Sequence, residues 1–154
     1  MTSNTGEGPP REFSLILDDQ LCFALYAASR AVTQRYRPLL ENLGLTYPQY
    51  LVLLVLWEHD TVPVKDIGAA LQLDYGTLTP LVKRLETAGF VRRERDPDDE
   101  RTVRVSLTDR GVDLRERARE VPAAMGAAMA LPENDFAEAK RILRQLTINV
   151  SGQS

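Results

Sequence analysis

The fold of this chain is decided by the stretch Asp74–Leu107, which reads DYGTLTPLVKRLETAGFVRRERDPDDERTVRVSL. Asp74 or Thr77 can cap a helix here, because either side-chain oxygen can accept an orphan backbone N–H. The apolar residues that follow recur at helical spacing, namely Leu78, Leu81, Val82 and Leu85. Because Pro80 is tolerated only in a first turn, the regular helix is predicted to begin near Thr77, and Gly89 is predicted to end it.

Beyond that glycine the apolar residues alternate with a period of two. The alternation predicts one strand on Val103, Val105 and Leu107, a partner strand on Val91, Arg93 and Arg95, and a connecting loop over Asp96–Arg101. A helix with small polar residues in its first turn, followed by a basic hairpin, suits a DNA major groove and the groove beside it. The alternative is an ordinary helix and hairpin packed on a core, and the pattern alone does not choose between the two.

Composition indicates one globular domain, since 44% of the 154 residues are apolar and 27% are charged. The longest apolar run, Tyr50–Trp57, is too short to span a bilayer, so no membrane partner is expected. Residues 1–13 lack the apolar core of a secretory signal and are predicted to form a disordered arm. A single cysteine excludes an intrachain disulfide and a cysteine-cluster metal site, so a cytoplasmic protein without metal or cofactor is expected.

The charge balance argues against binding nucleic acid through bulk charge. The net charge is −3 and the pI is about 5.3, and the segment 65–110 carries nine basic and nine acidic residues. Any DNA affinity must therefore come from where the cations are placed. The cations predicted to face phosphates are Lys83, Arg84, Arg92, Arg93, Arg95, Arg101 and Arg104.

A long helix is predicted over residues 18–43, with Asp18 or Asp19 as its cap. Its apolar stripe consists of Leu21, Leu25, Ala28 and Val32. Pro38 is expected to kink or break this helix, and Gly44 is expected to end it.

Two more helices precede the Asp74 helix. Thr46 is expected to open a helix that runs through Trp57 and is apolar nearly all round, so it is predicted to be buried. A short third helix is predicted over Pro63–Leu73. With the Asp74 helix these two form a helix-turn-helix set, and the hairpin follows as a wing.

The C-terminal part is also predicted to be helical. Thr108 and Asp109 cap a helix that runs towards Val121 and is perturbed by Pro122, and the alanine-rich residues 123–131 form either helix or connector. A last helix restarts at Pro132, in its favoured first position. Its apolar residues follow a 3, 4, 3, 4 spacing, as Phe136, Ala139, Leu143, Leu146 and Val150.

The expected fold is therefore mainly α with a small β-wing. Within a single domain, 14–154, residues 46–108 form a winged helix-turn-helix, and residues 14–45 and 109–150 supply helices that its core does not need. Surplus apolar helices at both chain ends favour a two-fold homodimer over packing within one chain.

Cys22 lies near the start of the first helix, and a lone helical cysteine is most often an inert buried residue. Two features favour a reactive thiolate instead: helix N-termini stabilise thiolates, and Tyr26 lies one turn away. Tyr36 is fourteen residues on, about 21 Å along a helix, so it can reach the sulfur only from a second copy across a two-fold axis. A phenol donating to the sulfur would favour the thiolate.

Three segments of the chain resemble the organic hydroperoxide-sensing repressors of the MarR family. They read LDDQLCFALYAASRAVTQRYRPLLENLGLTYPQYLVLLVLWEH, LDYGTLTPLVKRLE and DDERTVRVSLTDRG. The resemblance covers nearly all of residues 17–121. It implies a homodimeric winged-helix repressor that binds double-stranded operator DNA and is not an enzyme.

The resemblance also implies the roles of particular residues. Cys22 matches the reactive cysteine, and Tyr36 and Tyr47 match the tyrosines that hydrogen-bond it from the partner subunit. An organic hydroperoxide would oxidise the thiolate to sulfenic acid and release the operator. Because the chain lacks a second cysteine, it resembles the one-cysteine type, in which a low-molecular-weight thiol caps the sulfenic acid or excess peroxide overoxidises it.

The DNA-reading positions follow from the same resemblance. Those on the recognition helix are Thr77, Thr79, Pro80, Lys83 and Arg84. In the wing, Arg101 matches the arginine that enters the minor groove, and Asp99 matches the carboxylate that braces it, with the neighbouring acids pointing to solvent. Tyr75 departs from the family, where a small residue is usual, and its effect on base preference stays open.

Two alternative functions compete with this one. A MarR-type repressor that senses a small aromatic acid in the cleft beside the dimer helices would leave Cys22 a bystander. A thiol peroxidase is less favoured, because repeated turnover needs a resolving cysteine or an acid–base partner. The single histidine, His59, is predicted to cap the second helix rather than to act as a base.

Overall fold

The computed structural model describes residues 14–152, so the predicted N-terminal arm lies outside the described residues. Its helices are α1 (Leu21–Glu41), α2 (Tyr47–His59), α3 (Val64–Leu71), α4 (Tyr75–Thr87), α5 (Asp109–Ala118), α6 (Glu120–Met129) and α7 (Glu133–Ser151). Its strands are β1 (Thr61–Pro63), β2 (Val91–Asp96) and β3 (Asp99–Leu107). The predicted class, mainly α with a small β-wing, is confirmed. The chain divides into two compact units after Gln34, and each is described by itself.

The first unit contains a 3₁₀ turn, Leu17–Asp19, followed by the first half of α1. The predicted aspartate cap is wrong, because the Ser14 hydroxyl donates to the Asp19 carboxylate at 2.7 Å and α1 begins later, at Leu21. The apolar side chains of this half-helix are exposed, as Leu21 at 61%, Phe23 at 45% and Tyr26 at 59% show. Within residues 14–34 this face of α1 is open to solvent.

The second unit begins with the end of α1. Pro38 was predicted to kink or break the helix, but α1 continues past it to Glu41. Pro38 is exposed, so water can satisfy the carbonyl that its missing N–H leaves free. Gly44, at φ +71°, turns the chain out of the helix as predicted, and the Leu45 N–H closes the turn on the Leu40 carbonyl at 3.0 Å.

Helix α2 runs through the core of the second unit. Thr46 caps it as predicted, in a reciprocal capping box with Gln49. Its C-cap is Asp60, at φ 63°, so the predicted capping by His59 is wrong. The core of this unit is formed by residues of α2, α3, α4 and the sheet, among them Tyr50, Leu53, Leu56, Ile67, Leu78, Leu85, Val91 and Val105.

Helices α3 and α4 follow a short strand, β1, that the sequence pattern did not reveal. Asp74 caps α4, with the Thr77 N–H donating to its carboxylate at 2.7 Å, and α4 begins at Tyr75 rather than near Thr77. Pro80 is therefore the sixth residue of α4 and lies beyond its first turn, contrary to prediction. The ring is tolerated there because the carbonyl it faces, one turn back, belongs to the exposed Gly76 near the helix start.

The three strands form one antiparallel sheet in the order β1-β3-β2. The hairpin turn is Pro97–Asp98, which is shorter than the predicted loop because pairing extends to Asp96 opposite Asp99. Val91 and Val105 are buried as the alternation predicts. Gly89, at φ +84°, ends the α4 segment and leads into β2.

Thr108 caps α5 as predicted. Pro122 was predicted to perturb the helix, and the helix is interrupted three residues earlier, at Arg119. The alanine-rich stretch is helical as far as Met129. Helix α7 begins at Glu133, and Pro132 is its N-cap, one position before the predicted one; none of the residues of α7 is buried. Between residues 14 and 152 no helix is both long and apolar enough to cross a membrane.

Candidate functional site

The outer face of α4 carries the predicted recognition residues. Leu78, Leu81, Val82 and Leu85 point into the core, which leaves Thr77, Pro80, Lys83 and Arg84 exposed and Thr79 half-buried. The Thr79 hydroxyl donates to the Tyr75 carbonyl at 2.8 Å, so its oxygen keeps acceptor capacity. Tyr75 itself is 65% exposed at the start of this face.

The start of α4 is held by a charged cap. The backbone N–H of Thr77, and then its side chain, hold the pKa of the Asp74 carboxyl below its usual value. Asp74 is therefore ionised at neutral pH, and its carboxylate accepts a backbone N–H at the start of α4. The cap fixes the first turn, which presents Thr77 and leads into Thr79.

The wing places Asp99 and Arg101 together, but not in the predicted way. Asp99 accepts from the backbone N–H of Arg101 and from the Thr102 hydroxyl, both at 3.1 Å. Asp99 was predicted to hold the guanidinium of Arg101, but in the structure it holds the backbone N–H of Arg101 instead. The Arg101 side chain is exposed beside it.

Two of the seven cations predicted to face phosphates are paired inside the protein. The guanidinium of Arg93 donates to Glu86 at 3.0 and 3.2 Å, and that of Arg104 donates to Asp96 at 2.8 Å. Asp96 is only 8% exposed, so the prediction that it points to solvent is wrong. The backbone N–H of Asp98 is the first cause, ahead of Arg104, that lowers the pKa of the Asp96 carboxyl.

The cations left for DNA form a smaller set than predicted. Of the seven predicted cations, five are exposed and have no carboxylate partner among residues 14–152, namely Lys83, Arg84, Arg92, Arg95 and Arg101. These five lie on α4 and the hairpin. Because the chain is acidic overall, its attraction for a phosphate backbone must come from the position of these cations and not from net charge.

Tyrosine residues of α1 and α2 form a second cluster. The rings of Tyr36 and Tyr47 lie 4.6 Å apart between centroids, and Tyr50 lies 5.8 Å from Tyr36. Burial, and then the neighbouring phenols of Tyr47 and Tyr50, raise the pKa of Tyr36 to about 12. Burial also raises the pKa of Tyr47. Both phenols are therefore protonated hydrogen-bond donors at neutral pH.

The structure brings Tyr50 into this cluster, and sequence analysis had missed it. The i, i+3 spacing of Tyr47 and Tyr50 on one helix was an available signal. Glu86 was also missed, and no sequence signal pointed to it, because its arginine partner lies seven residues on beyond a turn.

Cys22 belongs to the first unit and is the second residue of α1. Its side chain is exposed. No group of three or more metal-ligating side chains occurs in the part of the chain that the structure describes. Cys22 therefore has the access that a reactive thiol requires.

Comparisons with known proteins agree on one class. A family model described as transcriptional regulator SarA/Rot matches residues 34–117. An organic hydroperoxide resistance transcriptional regulator of Bacillus subtilis is 48% identical over 130 residues, which are 84% of this chain and 88% of the relative.

The solved structures point the same way. Reduced AbfR bound to DNA, a Staphylococcus epidermidis protein, is 39% identical, with a TM-score of 0.74 over 88% of this chain and 93% of that one. The disulfide form of AbfR is 38% identical and gives 0.60 over 88% and 90%. PcaV from Streptomyces coelicolor, at 23% identity, shares the fold, with a TM-score of 0.80 over 88% and 97%. The chain belongs to the MarR-type winged-helix transcriptional regulators, in the family of the organic hydroperoxide resistance regulators, and is a DNA-binding protein rather than an enzyme.

Proposed function

We propose that the protein is a homodimeric repressor that leaves its operator when an organic hydroperoxide oxidises Cys22. The exposed cysteine carries this proposal, and two further observations support it. The only cysteine is exposed in the first turn of α1, in a chain that also holds protonated Tyr36 and Tyr47 phenols side by side and is 48% identical to a hydroperoxide resistance regulator.

Apolar surface at both ends of the chain supports the homodimer. In the first unit Leu21 and Phe23 of α1 are exposed, and in the second unit Phe136, Ile142 and Leu143 of α7 are 44–47% exposed. Monomeric proteins rarely expose contiguous apolar surface of this kind. A second copy of the chain would cover it.

The dimer would also complete the redox site. Tyr36 lies fourteen residues beyond Cys22, a helical rise of about 21 Å, so we expect the phenol that reaches the sulfur to come from a second copy. In the proposed dimer, Tyr36 and Tyr47 of the partner subunit donate hydrogen bonds to the Cys22 sulfur. Donors at this position favour the thiolate over the thiol.

The proposed reaction is a two-electron oxidation. The Cys22 thiolate attacks one peroxide oxygen, an S–O bond forms as the O–O bond breaks, and the departing alkoxide takes a proton to become an alcohol. The sulfur becomes a sulfenic acid. A low-molecular-weight thiol then condenses with it to a mixed disulfide and water, because the chain has no second cysteine of its own.

DNA contacts are proposed for α4 and the wing. Thr77, Thr79 and Pro80 would meet base edges in the major groove, while Lys83 and Arg84 meet phosphates. In the adjacent minor groove Arg101 would be inserted, with Asp99 holding its backbone. Oxidation would shift the dimer to a state in which the two α4 helices no longer match major grooves about 34 Å apart.

The test combines DNA binding with intact mass. A duplex selected from a random library by the reduced wild-type protein serves as the operator probe. Wild-type protein and Cys22→Ser are treated with one equivalent of cumene hydroperoxide, with and without cysteine as the capping thiol. We expect wild-type release to coincide with a sulfenic or mixed-disulfide mass, while Cys22→Ser stays bound.

Retained binding by fully oxidised wild-type protein would contradict the sensor proposal. The same probe then tests the alternative, because an aromatic carboxylate such as salicylate would release a ligand-sensing repressor with Cys22→Ser responding equally. Arg101→Ala should weaken binding to the probe and make the slope of log Kd against log salt shallower by about 0.9, because one cation is removed from the groove.

A further inference from the structure

The recognition helix and the wing are joined by one side-chain cluster. Glu86, in the last turn of α4, accepts three hydrogen bonds from Arg93 of β2: one from the backbone N–H at 2.9 Å and two from the guanidinium at 3.0 and 3.2 Å. Both oxygens of the carboxylate are used. Oε1 accepts both guanidinium bonds and Oε2 accepts the backbone N–H, so the carboxylate holds the side chain and the backbone of Arg93 together.

The cluster is partly shielded from solvent. The side chains of Arg93 and Glu86 are 30% and 37% exposed. The backbone N–H of Arg93, followed by its side chain, lowers the pKa of the Glu86 carboxyl, so this carboxyl is ionised at neutral pH. Val105 lies opposite Arg93 in the hairpin and is fully buried. The Glu86–Arg93 pair, here called the clamp, therefore lies where the wing joins the core.

A second pair shapes the far end of the hairpin. Asp96 accepts from the Asp98 N–H at 2.9 Å across the turn and from Arg104 Nε at 2.8 Å on the neighbouring strand. These bonds fix the turn from which Asp99 and Arg101 follow. The tip of the wing is therefore held by its own hydrogen bonds. Its position relative to α4 depends on how the start of β2, at Arg93, is held.

We infer that Glu86 is a positioning residue for DNA binding, which locks Arg93 and thereby holds the wing at the angle where Arg101 and α4 reach the same duplex. This inference rests on the proposed DNA contacts of α4 and the wing. It also reverses the role expected for Arg93, whose guanidinium is committed to Glu86 and not to a phosphate.

The test separates the effect of charge from the effect of geometry, because the two act on affinity in opposite directions. Glu86→Gln removes one negative charge, which by itself should tighten DNA binding. The glutamine amide has only one acceptor oxygen, so it cannot accept from both the guanidinium and the backbone N–H of Arg93, and the Glu86–Arg93 clamp is broken. Glu94→Gln is the matched control, since Glu94 is exposed on β2 and makes no side-chain hydrogen bond or ion pair within residues 14–152. Both variants change net charge equally.

Affinity is measured with the library-selected duplex across a salt series, using reduced protein. We expect Glu86→Gln to bind about tenfold more weakly than wild type, the size of one lost charged contact. Its slope of log Kd against log salt should also be shallower by about 0.9, although glutamate cannot itself contact a phosphate. Glu94→Gln should bind as tightly as wild type or tighter, with the slope unchanged.

Arg93→Ala provides a second route to the same clamp. It should reproduce the losses of Glu86→Gln, and the double variant should be no worse than either single one. Far-UV circular dichroism and a cooperative melt establish that each variant is folded, and Glu86→Asp, whose shorter side chain cannot span the same distance to Arg93, replaces Glu86→Gln if that variant is not.

Two results would overturn the inference. Equal behaviour of Glu86→Gln and Glu94→Gln would show that the wing needs no clamp, and a loss confined to Arg93→Ala would show that Arg93 contacts a phosphate. Both differ from failure of the proposed DNA contacts, in which the wild-type protein selects no duplex from the library and the inference falls with them.

Discussion

Replacing Gly111 with alanine should destabilise the fold sharply. Gly111 is the third residue of α5, and a Cβ built there would lie 2.2 Å from the Phe90 carbonyl oxygen and 3.0 Å from a Leu107 methyl carbon. The obstacle at 2.2 Å is backbone, which cannot rotate away as a side chain can. The carbonyl of Gly111 also accepts the indole N–H of Trp57 at 2.9 Å, in the buried core.

The magnitude follows from what must move. Clearing the contact requires a shift of about 1 Å, against a Phe90 carbonyl that accepts the Thr108 N–H at 3.0 Å. Overpacking of this kind costs about 1–3 kcal/mol, and each weakened hydrogen bond costs about 0.5–1.5 kcal/mol. Alanine returns about 0.5–1 kcal/mol of helix propensity. With two weakened hydrogen bonds and the middle of each range, the net expectation is a loss of about 2–4 kcal/mol.

The matched control is Gly126→Ala. Gly126 lies inside α6, and a Cβ built there meets nothing within 4 Å. Alanine should therefore stabilise the fold by about 0.5–1 kcal/mol, because only the helix propensity changes. The two substitutions add the same methyl group and are expected to act with opposite sign.

Thermal unfolding by circular dichroism at a fixed protein concentration measures both variants, since the Tm of a dimer depends on concentration. At about 2–4 °C per kcal/mol for a chain of this size, Gly111→Ala should melt about 4–16 °C below wild type. Gly126→Ala should melt about 1–4 °C above it. A Tm for Gly111→Ala at or above that of wild type would refute the steric argument.

Three further substitutions test the redox site and the dimer. Tyr47→Phe should slow hydroperoxide oxidation of Cys22 by about tenfold, the loss of one hydrogen bond to a charged group, while Tyr50→Phe in the same cluster should not; equal rates, followed by intact mass, would argue against donation from Tyr47. Burial raises the pKa of Tyr36 above its ordinary value of 10.0, so its contribution to stability is complete below pH 10.0 and is lost as pH rises towards about 12. Alkaline unfolding followed by circular dichroism should therefore be weaker in Tyr36→Phe, and an unchanged profile would show that Tyr36 does not drive it. Leu143→Glu should dissociate the dimer in sedimentation analysis while the neighbouring exposed substitution Arg144→Glu should not, and two stable dimers would place the interface elsewhere.

The local features of the chain were predictable because their partners lie within a few residues. Thr46 and Asp74 cap helices through N–H groups three residues on, and Gly44 and Gly89 end segments by a conformation that other residues rarely adopt. Periods of 3.6 and 2 identified α4 and the hairpin for the same reason.

The boundaries were predicted less well, because they depend on competing partners. Asp19 met the Ser14 hydroxyl instead of capping α1, and the strand β1 exists only because β3 pairs with it. Pro38 and Pro80 fall inside helices where exposure lets water replace the missing bond, and exposure is not written in the local sequence.

Local sequence pattern was enough to predict the order of the helices and the wing, and to name candidate residues for reaction and for DNA contact. The side-chain pairing that limits those candidates came from the folded chain. Folding paired Arg93 with Glu86 and Arg104 with Asp96, set Tyr36 beside Tyr47, and placed the Trp57 indole on a carbonyl 54 residues away. The physical reason is that a charge or a donor is satisfied by whichever group folding brings within about 3 Å, and sequence distance does not measure that.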